Sequence, residues 1–401
     1  MNAFSLALAS VRSRPLNTIL CIAASAAGVA LLCTVFLLSQ AIETGFTRNA
    51  QGIDIVVGAK GSPLQLVLST VYHADVPNGN IEAADADKWS HNTQVKQAIP
   101  LALGDSHKGW RIVGTTPDYL ALYQAQFADG QVWQQPFEAV TGALTGVKVG
   151  EQFPAVHGLS IDSDDVHHFH LYKVTGTLKP TGTVLDRLIL TSVGSVQDLH
   201  KHPDLGDPDA AEEYKIGHQV TALLIKVKNP IAIMNLPRSI NSSSNLLAAS
   251  PAYEMTRLAE SLGVGRDVLT VLGLGFVVLS ALMLLSTLAS SLTARRYDLG
   301  VLRVLGASPQ MLSGTVMAEG LILSGAGALT GIIAGHALAF SIATFVGSLS
   351  GVVLPSVFLV PQQMDVAFLL IGLSAGLVAG LVPAISAGRT DIAALLARGR
   401  A

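Results

Sequence analysis

The sequence predicts an integral membrane protein of four transmembrane α-helices, with a large α+β domain outside the membrane inserted between the first and second. Three observations carry this reading. Of 401 residues, 50% are hydrophobic, only 13% are charged, and mean hydropathy is +0.49. A soluble globular chain carries about a quarter charged residues. Long stretches hold no charge at all. The charges present are segregated: residues 43–266 contain 23 acidic and 17 basic residues, the remainder 5 acidic and 8 basic. The same composition excludes a disordered chain, which needs low hydrophobicity and high net charge. A net charge of −3 leaves no basic footprint for nucleic acid.

A hydrocarbon core about 30 Å thick requires roughly 20 apolar helical residues. Leu16–Gln40 is free of charge, as are Val268–Thr293 and Val366–Gly388. Residues 311–360 are interrupted only by Glu319 and His336, long enough for one span and a turn near Gly351 and Pro355. The spans are set at 16–40, 267–293, 312–345 and 366–388, with a short outer turn at 346–365. Basic residues mark the cytoplasmic side of short segments. Arg12 and Arg14 precede the first span, Arg295, Arg296 and Arg303 lie between the second and third, and Arg389, Arg398 and Arg400 follow the fourth. Both termini, the segment 294–311 and the tail 389–401 are therefore expected in the cytoplasm. Residues 41–266 are expected in the periplasm of a double-membrane bacterium. A cleaved signal peptide competes for the first 40 residues, but the apolar run exceeds a signal h-region of about 7–15 residues. Cys21 and Cys33 stand about 18 Å apart along one helix and cannot pair with each other.

The outer block mixes β-like and helical text. Ile53–Val57, His170–Thr177, Leu188–Thr191 and Thr221–Val227 read as strands. Ser62–Thr70 and Glu82–Lys88 read as helices. Ser239–Ser250, rich in Ser, Asn and Ala, reads as a turn before a helix over Ala252–Leu262. Gly58–Ser62 superficially suggests a phosphate loop, but Ala59 precedes the lysine and Gly61 follows it, where contiguous Gly-Lys-Ser/Thr is required. No GxSxG or HExxH motif is present, so no catalytic residues are assigned. Acids at 162, 164 and 165 precede His167, His168 and His170. On a strand His168 and His170 share a face and would suit Zn²⁺ or Cu²⁺. The competing reading is a solvated acidic surface without an ion.

The cytoplasmic segment is the richest in information. Leu299, Leu302 and Leu305 recur every three residues, flanked by Asp298 and Arg303, and Gly306 with Pro309 ends the helix. A short amphipathic helix here either lies in the lipid interface or docks into a groove on a partner. Within the spans, Gly327, Gly331 and Gly335, and again Gly372, Gly376 and Gly380, repeat every four residues and allow close helix approach. The expected contacts are of span three with span four, or across an assembly, against ordinary packing within the chain. Glu319 demands a partner or a headgroup and is expected to anchor the preceding loop.

The stretches RRYDLGVLRVLGASPQML and AEGLILSGAGALTGIIAG resemble the hallmark of the FtsX-like, MacB-type permeases of ABC transporters. LALASVRSRPLNTILCIAASAAGVALL is similar to that family's opening amphipathic helix, here residues 1–15, and first span. GLVPAISAGRTDIAALLARG is similar to its ending. The resemblance implies a short-form permease without its own ATPase domain, and the chain carries no Walker A motif. It implies a separate ATP-binding subunit holding ATP and Mg²⁺, seated on a coupling helix at 295–309 through Arg295, Arg296, Asp298, Leu299, Leu302, Arg303, Leu305 and Gly306. It further implies a second permease chain, identical or different, and periplasmic motion that exports or extracts a lipoprotein, peptide or hydrophobic compound. Two alternatives stand beside it. One is a mechanotransmitting regulator of a periplasmic partner; the other is a membrane-anchored enzyme or metal-binding receptor, against which the coupling motif argues.

Overall fold

The computed structural model describes residues 2–158, 166–199, 219–350 and 357–389. The chain divides into two units: residues 1–41, 262–344 and 356–401 in one, residues 42–261 and 345–355 in the other.

The first unit is helical. In chain order α1 (Ala3–Ser13) and α2 (Pro15–Asn49) open the chain. Asn2 caps α1 by accepting from Ser5 N at 2.9 Å, and Pro15 starts α2, where its missing N–H loses nothing. Among the described residues, four helices are long and apolar enough to cross a membrane: Pro15–Asn49, Gly263–Ala294, Pro309–Val346 and Gln363–Gly388. Cys21, Leu284, Leu323 and Ala379, one from each, meet in a single buried cluster. With no water to bond backbone groups in lipid, a helix satisfies them internally.

The second unit is a mixed sheet between helices. Its elements run β1 (Ile55–Ala59), α3 (Pro63–Thr70), β2 (Ile81–Glu82), α4 (Ala83–Ser90), β3 (Val95–His107), β4 (Trp110–Thr115), α5 (Pro117–Leu122), β5 (Phe127–Gly130) and β6 (Glu138–Thr141). They continue with β7 (Gln152–His157), β8 (Val166–Leu178), β9 (Leu188–Ser192), α6 (Val193–Leu199), β10 (Gln219–Val220), β11 (Ala222–Val227), α7 (Pro230–Ser243) and β12 (Leu246–Ala249). The main sheet is ordered β12-β1-β11-β3-β4-β9-β6-β8-β5, with β7 bridging β3 and β8. β1 and β11 pair antiparallel, Val57 opposite Leu223, whereas β4 and β9 run parallel.

Period-2 alternation sorts these side chains between two cores. Val56, Leu101 and Leu224 pack with Leu66 and Val67 of α3 and Tyr119 of α5. Ile55, Val57, Leu223 and Ile225 pack on the opposite face with Trp89 of α4 and Leu236 and Ile240 of α7. Both faces are covered, so the central strands are apolar throughout, as a doubly buried sheet requires.

The remaining helices are α8 (Pro251–Ala294), α9 (Arg296–Val304), α10 (Pro309–Ser350) and α11 (Gln363–Gly388). Several expectations need correction. Residues 239–250 are not a turn: Ser239–Ser243 close α7, and Leu246–Ala249 pair with β1. Asn241 holds that corner, with Nδ2 donating to Ala248 O at 3.0 Å and Oδ1 accepting from Ala248 N at 2.7 Å. The third helix occupies 309–350 rather than 312–345, so the expected outer turn begins inside a helix. Its other end is helical too. Asp365 is the third residue of α11 and closes a capping box with Gln362, accepting from Gln362 N at 2.7 Å. A charge count marks where lipid is tolerable, whereas a helix stops where capping groups stop it.

Candidate functional site

The segment joining the second and third spans is built from sequence upward as follows. α8 ends at Ala294, and Arg295 takes the residue between it and α9. Asp298 stands exposed in the first turn of α9, where a carboxylate complements the helix dipole. Gly306 terminates the helix with φ +98°. Ala307 N donates to Leu302 O at 2.9 Å and Gly306 N donates to Arg303 O at 3.1 Å, a Schellman stop. That left-handed position suits glycine, and the sharp exit sends the chain straight into α10.

The leucine stripe divides. Leu299 and Leu302 pack inward against Leu288, Leu312, Val316, Ala384 and Ala387, which belong to three of the spans. Leu305 is instead 77% exposed, and Val304, Tyr297 and Val301 are exposed with it. The apolar surface offered outward is therefore Tyr297, Val301, Val304 and Leu305, at i, i+4, i+7 and i+8. Leu299 and Leu302, expected on the docking face, instead seat α9 on the bundle. Arg296 lies in α9, its side chain outside the described residues. Arg303 reaches back toward Ala307 O at 3.5 Å.

Arg295 ties this segment to the first helix. Its Nη2 donates to Ser13 Oγ at 2.7 Å and its Nη1 to Ser10 Oγ. Glu319 of α10, only 8% exposed, hydrogen-bonds with Ser10 and has Arg295 and Arg14 as cationic neighbours. A carboxyl that would be expensive in hydrocarbon is thus surrounded by protein polar groups. Ser10 and Ser13 were not foreseen, because two serines on a short amphipathic helix carry no distinguishing pattern.

The glycine stripes are placed definitely. A Cβ on Gly331 would lie 2.7 Å from Ala26 O, and one on Gly327 3.1 Å from Ile22 O. One on Gly335 would lie 3.0 Å from Ala30 O. This stripe meets the first span, not the fourth as expected. Gly372, Gly376 and Gly380 of the fourth span meet the third, as expected, at Ala328, Gly320 O and Met317. Both stripes serve packing within the chain.

In the large domain, His168 lies on β8 but its side chain is outside the described residues. His170 is half-buried, its ring stacked on Phe137 with centroids 4.6 Å apart. A cavity of about 270 Å³ opens beside Asp105, Arg111, His157 and Asn80. Arg111 is held there by donating to Asp75 O at 2.7 Å.

Comparison with known proteins adds to this geometry. Residues 18–240 match the family model described as the MacB-like periplasmic core domain, and residues 270–392 match that of the FtsX-like permease C-terminal region. Over 97% of its length the chain is 24% identical to an uncharacterized ABC transporter permease protein of Mycobacterium tuberculosis, and it spans 44% of that protein. Among solved structures it is similar to the periplasmic region of MacB from Actinobacillus actinomycetemcomitans, at 9% identity and a TM-score of 0.33, covering 53% of this chain and 97% of that one. It is also similar to the extracellular domain of the noncanonic ABC-type transporter YknZ from Gram-positive bacteria, at 10% identity and a TM-score of 0.30, covering 49% of this chain and 99% of that one.

Proposed function

The chain belongs to the permease family that combines a MacB-like periplasmic core domain with an FtsX-like C-terminal region, and on that premise we propose that it is the membrane subunit of an ABC transporter driven by a separate ATP-binding subunit. The observation that carries this is the outward apolar face of α9, Tyr297, Val301, Val304 and Leu305, on a helix whose other face is packed into the spans. A helix needed only to close a loop has no use for a second apolar face. The partner's ATP and Mg²⁺ supply the energy; this chain receives motion through α9.

The route follows from what α9 is fastened to. Leu299 and Leu302 link it to the bundle, and Arg295 links it to α1 and to the Glu319 neighbourhood. Displacing α9 therefore moves the ends of several helices together. α2 and α8 carry the chain between the two units, since Asn49 and Pro251 both lie within the second. The chain works in the bacterial inner membrane as one of a pair of permease chains, with residues 42–261 in the periplasm. There the domain's motion exports or extracts a lipoprotein, peptide or hydrophobic compound.

The test is affinity purification of the tagged full chain from native membranes. An ATP-binding subunit co-purifies with the wild type and is lost from Val304→Asp and Leu305→Asp. Undiminished recovery with both variants overturns the reading. One observation favours a second reading, in which the motion activates a periplasmic partner: Ile231 and Met234, one turn apart on α7, are exposed apolar residues. Transport without any such partner separates the two.

A further inference from the structure

We infer that Cys33, His336 and Asp365 form a binding site for a divalent metal ion of the Zn²⁺ class, held between the first, third and fourth spans. The three side chains come from α2, α10 and α11, and their ligand atoms all lie within 4.8 Å of one another. Cysteine thiolate, imidazole and carboxylate are the donor types zinc takes. Three protein ligands leave a fourth position for water or a cargo ligand.

The surrounding bonds leave the right atoms available. His336 Nδ1 donates to Phe358 O at 2.6 Å, which fixes the ring and turns Nε2 toward Asp365, 3.2 Å from Oδ1. A backbone carbonyl on the far nitrogen is the usual orienting partner of a metal-bound histidine. Asp365 Oδ2 accepts from Gln362 N at 2.7 Å, so the capping box steadies the carboxylate while Oδ1 faces the ring. Cys33 Sγ makes a long 4.0 Å contact with Ile332 O. Gly335 permits this approach, because a Cβ there would lie 2.7 Å from Cys33 Cβ. Phe36 of α2 and Phe368 of α11, each about one turn from a ligand residue of its own helix, meet edge to face with centroids 5.8 Å apart. His336 and Asp365 keep 16% and 15% of their side-chain surface exposed, which leaves an entry path.

Charge favours a dication. On binding, Cys33 releases its thiol proton, and the proton shared between His336 Nε2 and Asp365 also leaves to water. The bound site then holds a thiolate, a carboxylate, a neutral imidazole and a dication, with no net charge in an apolar bundle. A monovalent ion would leave the site negative, which low-dielectric surroundings disfavour.

Cobalt substitution on the full chain in detergent tests this. A thiolate–Co²⁺ bond produces a near-ultraviolet charge-transfer band that histidine-rich or acidic surfaces cannot. The chain has two cysteines, so Cys21→Ser serves as the control. The expected result is a band in the wild type and in Cys21→Ser that reaches one ion per chain, is displaced by Zn²⁺, and disappears in Cys33→Ser. His336→Gln and Asp365→Asn should each weaken binding by more than the roughly 10–100-fold that loss of an orienting partner costs. No band in the wild type, which requires no variant to fold, overturns the assignment, as does a band that survives Cys33→Ser. Either result reduces the cluster to a His–Asp pair beside a buried thiol.

Discussion

Arg295 Nη2 donates to Ser13 Oγ at 2.7 Å, joining the start of α9 to the last turn of α1 across 282 residues of sequence. The same guanidinium reaches Ser10, which in turn hydrogen-bonds with Glu319. One side chain thereby connects the first helix, the linking helix and the third span. Arg295→Ala should lower the thermal stability of the purified chain, and loss of charge-assisted bonds is worth about 1.5–3 kcal/mol each. It should also lower permease-stimulated ATP hydrolysis by the co-purified subunit. Arg295→Lys should recover less than half of the stimulation, because a lysine cannot serve two hydroxyls as a planar fork does. Full activity in Arg295→Ala would remove this linkage from the mechanism.

The two faces of α9 predict opposite phenotypes. Leu302→Asp places a carboxylate in the cluster with Leu288 and Leu312 and should destabilise the membrane unit by several kcal/mol, roughly the effect of burying an unpaired charge. Leu305→Asp, at a site 77% exposed, should leave the melting temperature within a degree or two (about 0.5 kcal/mol, the usual surface effect) while abolishing partner recovery. Thermal melts run beside pull-downs distinguish the two, and equal melting of both variants would mean that the face assignment is wrong.

Glycine substitutions should be strongly position-dependent. Gly331→Ala must move the first span, since the new Cβ would meet Ala26 O at 2.7 Å; overpacking of this kind costs about 1–3 kcal/mol. Gly275→Ala meets nothing within 4 Å and should be neutral or stabilising by up to about 1 kcal/mol through helix propensity. Denaturation of each variant in detergent measures the difference.

The large domain should lose stability in acid. Burial, with a smaller effect of the Arg111 guanidinium, pushes the His73 ring from an ordinary 6.5 to about 3, and His73 Nε2 lies 3.0 Å from Tyr119 OH. The unfolded chain binds a proton between pH 6.5 and 3 that the folded chain refuses. Stability is therefore complete above that window and falls as pH drops through it, by at most roughly 1.4 kcal/mol per pH unit. Trp89, Trp110 and Trp133 are the chain's 3 tryptophans, and all lie in residues 42–261, so tryptophan fluorescence follows this domain alone. His73→Gln should flatten the slope; an unchanged slope would assign the acid sensitivity elsewhere.

The existence of four spans was legible because lipid imposes a one-dimensional requirement, a long charge-free run, which composition meets or fails locally. The linking helix was legible for a similar reason: Gly306 needs a left-handed backbone and Pro309 starts the next helix. The strands at 188–191 and 221–227 announced themselves through β-branched, apolar text. The corner at 239–250 did not, because its strand is held by Asn241 and by pairing with β1, neither of which leaves a periodic trace.

What the sequence by itself determined is four stretches long and apolar enough to cross a membrane, the α+β block between the first and second, and a short helix between the second and third. The tertiary structure decided which face of each helix meets which neighbour. α9 is apolar on two sides, and packing alone assigns Leu299 and Leu302 to the bundle and Leu305 to the outside. The 327–335 glycines could lie against any other span; the fold gives them to the first. Cys33, His336 and Asp365 lie 303 and 29 residues apart along the chain, and only the close approach of three helices makes them neighbours. Local rules act within a few residues along the chain, whereas partner choice is a property of surfaces that exist only once the helices have packed.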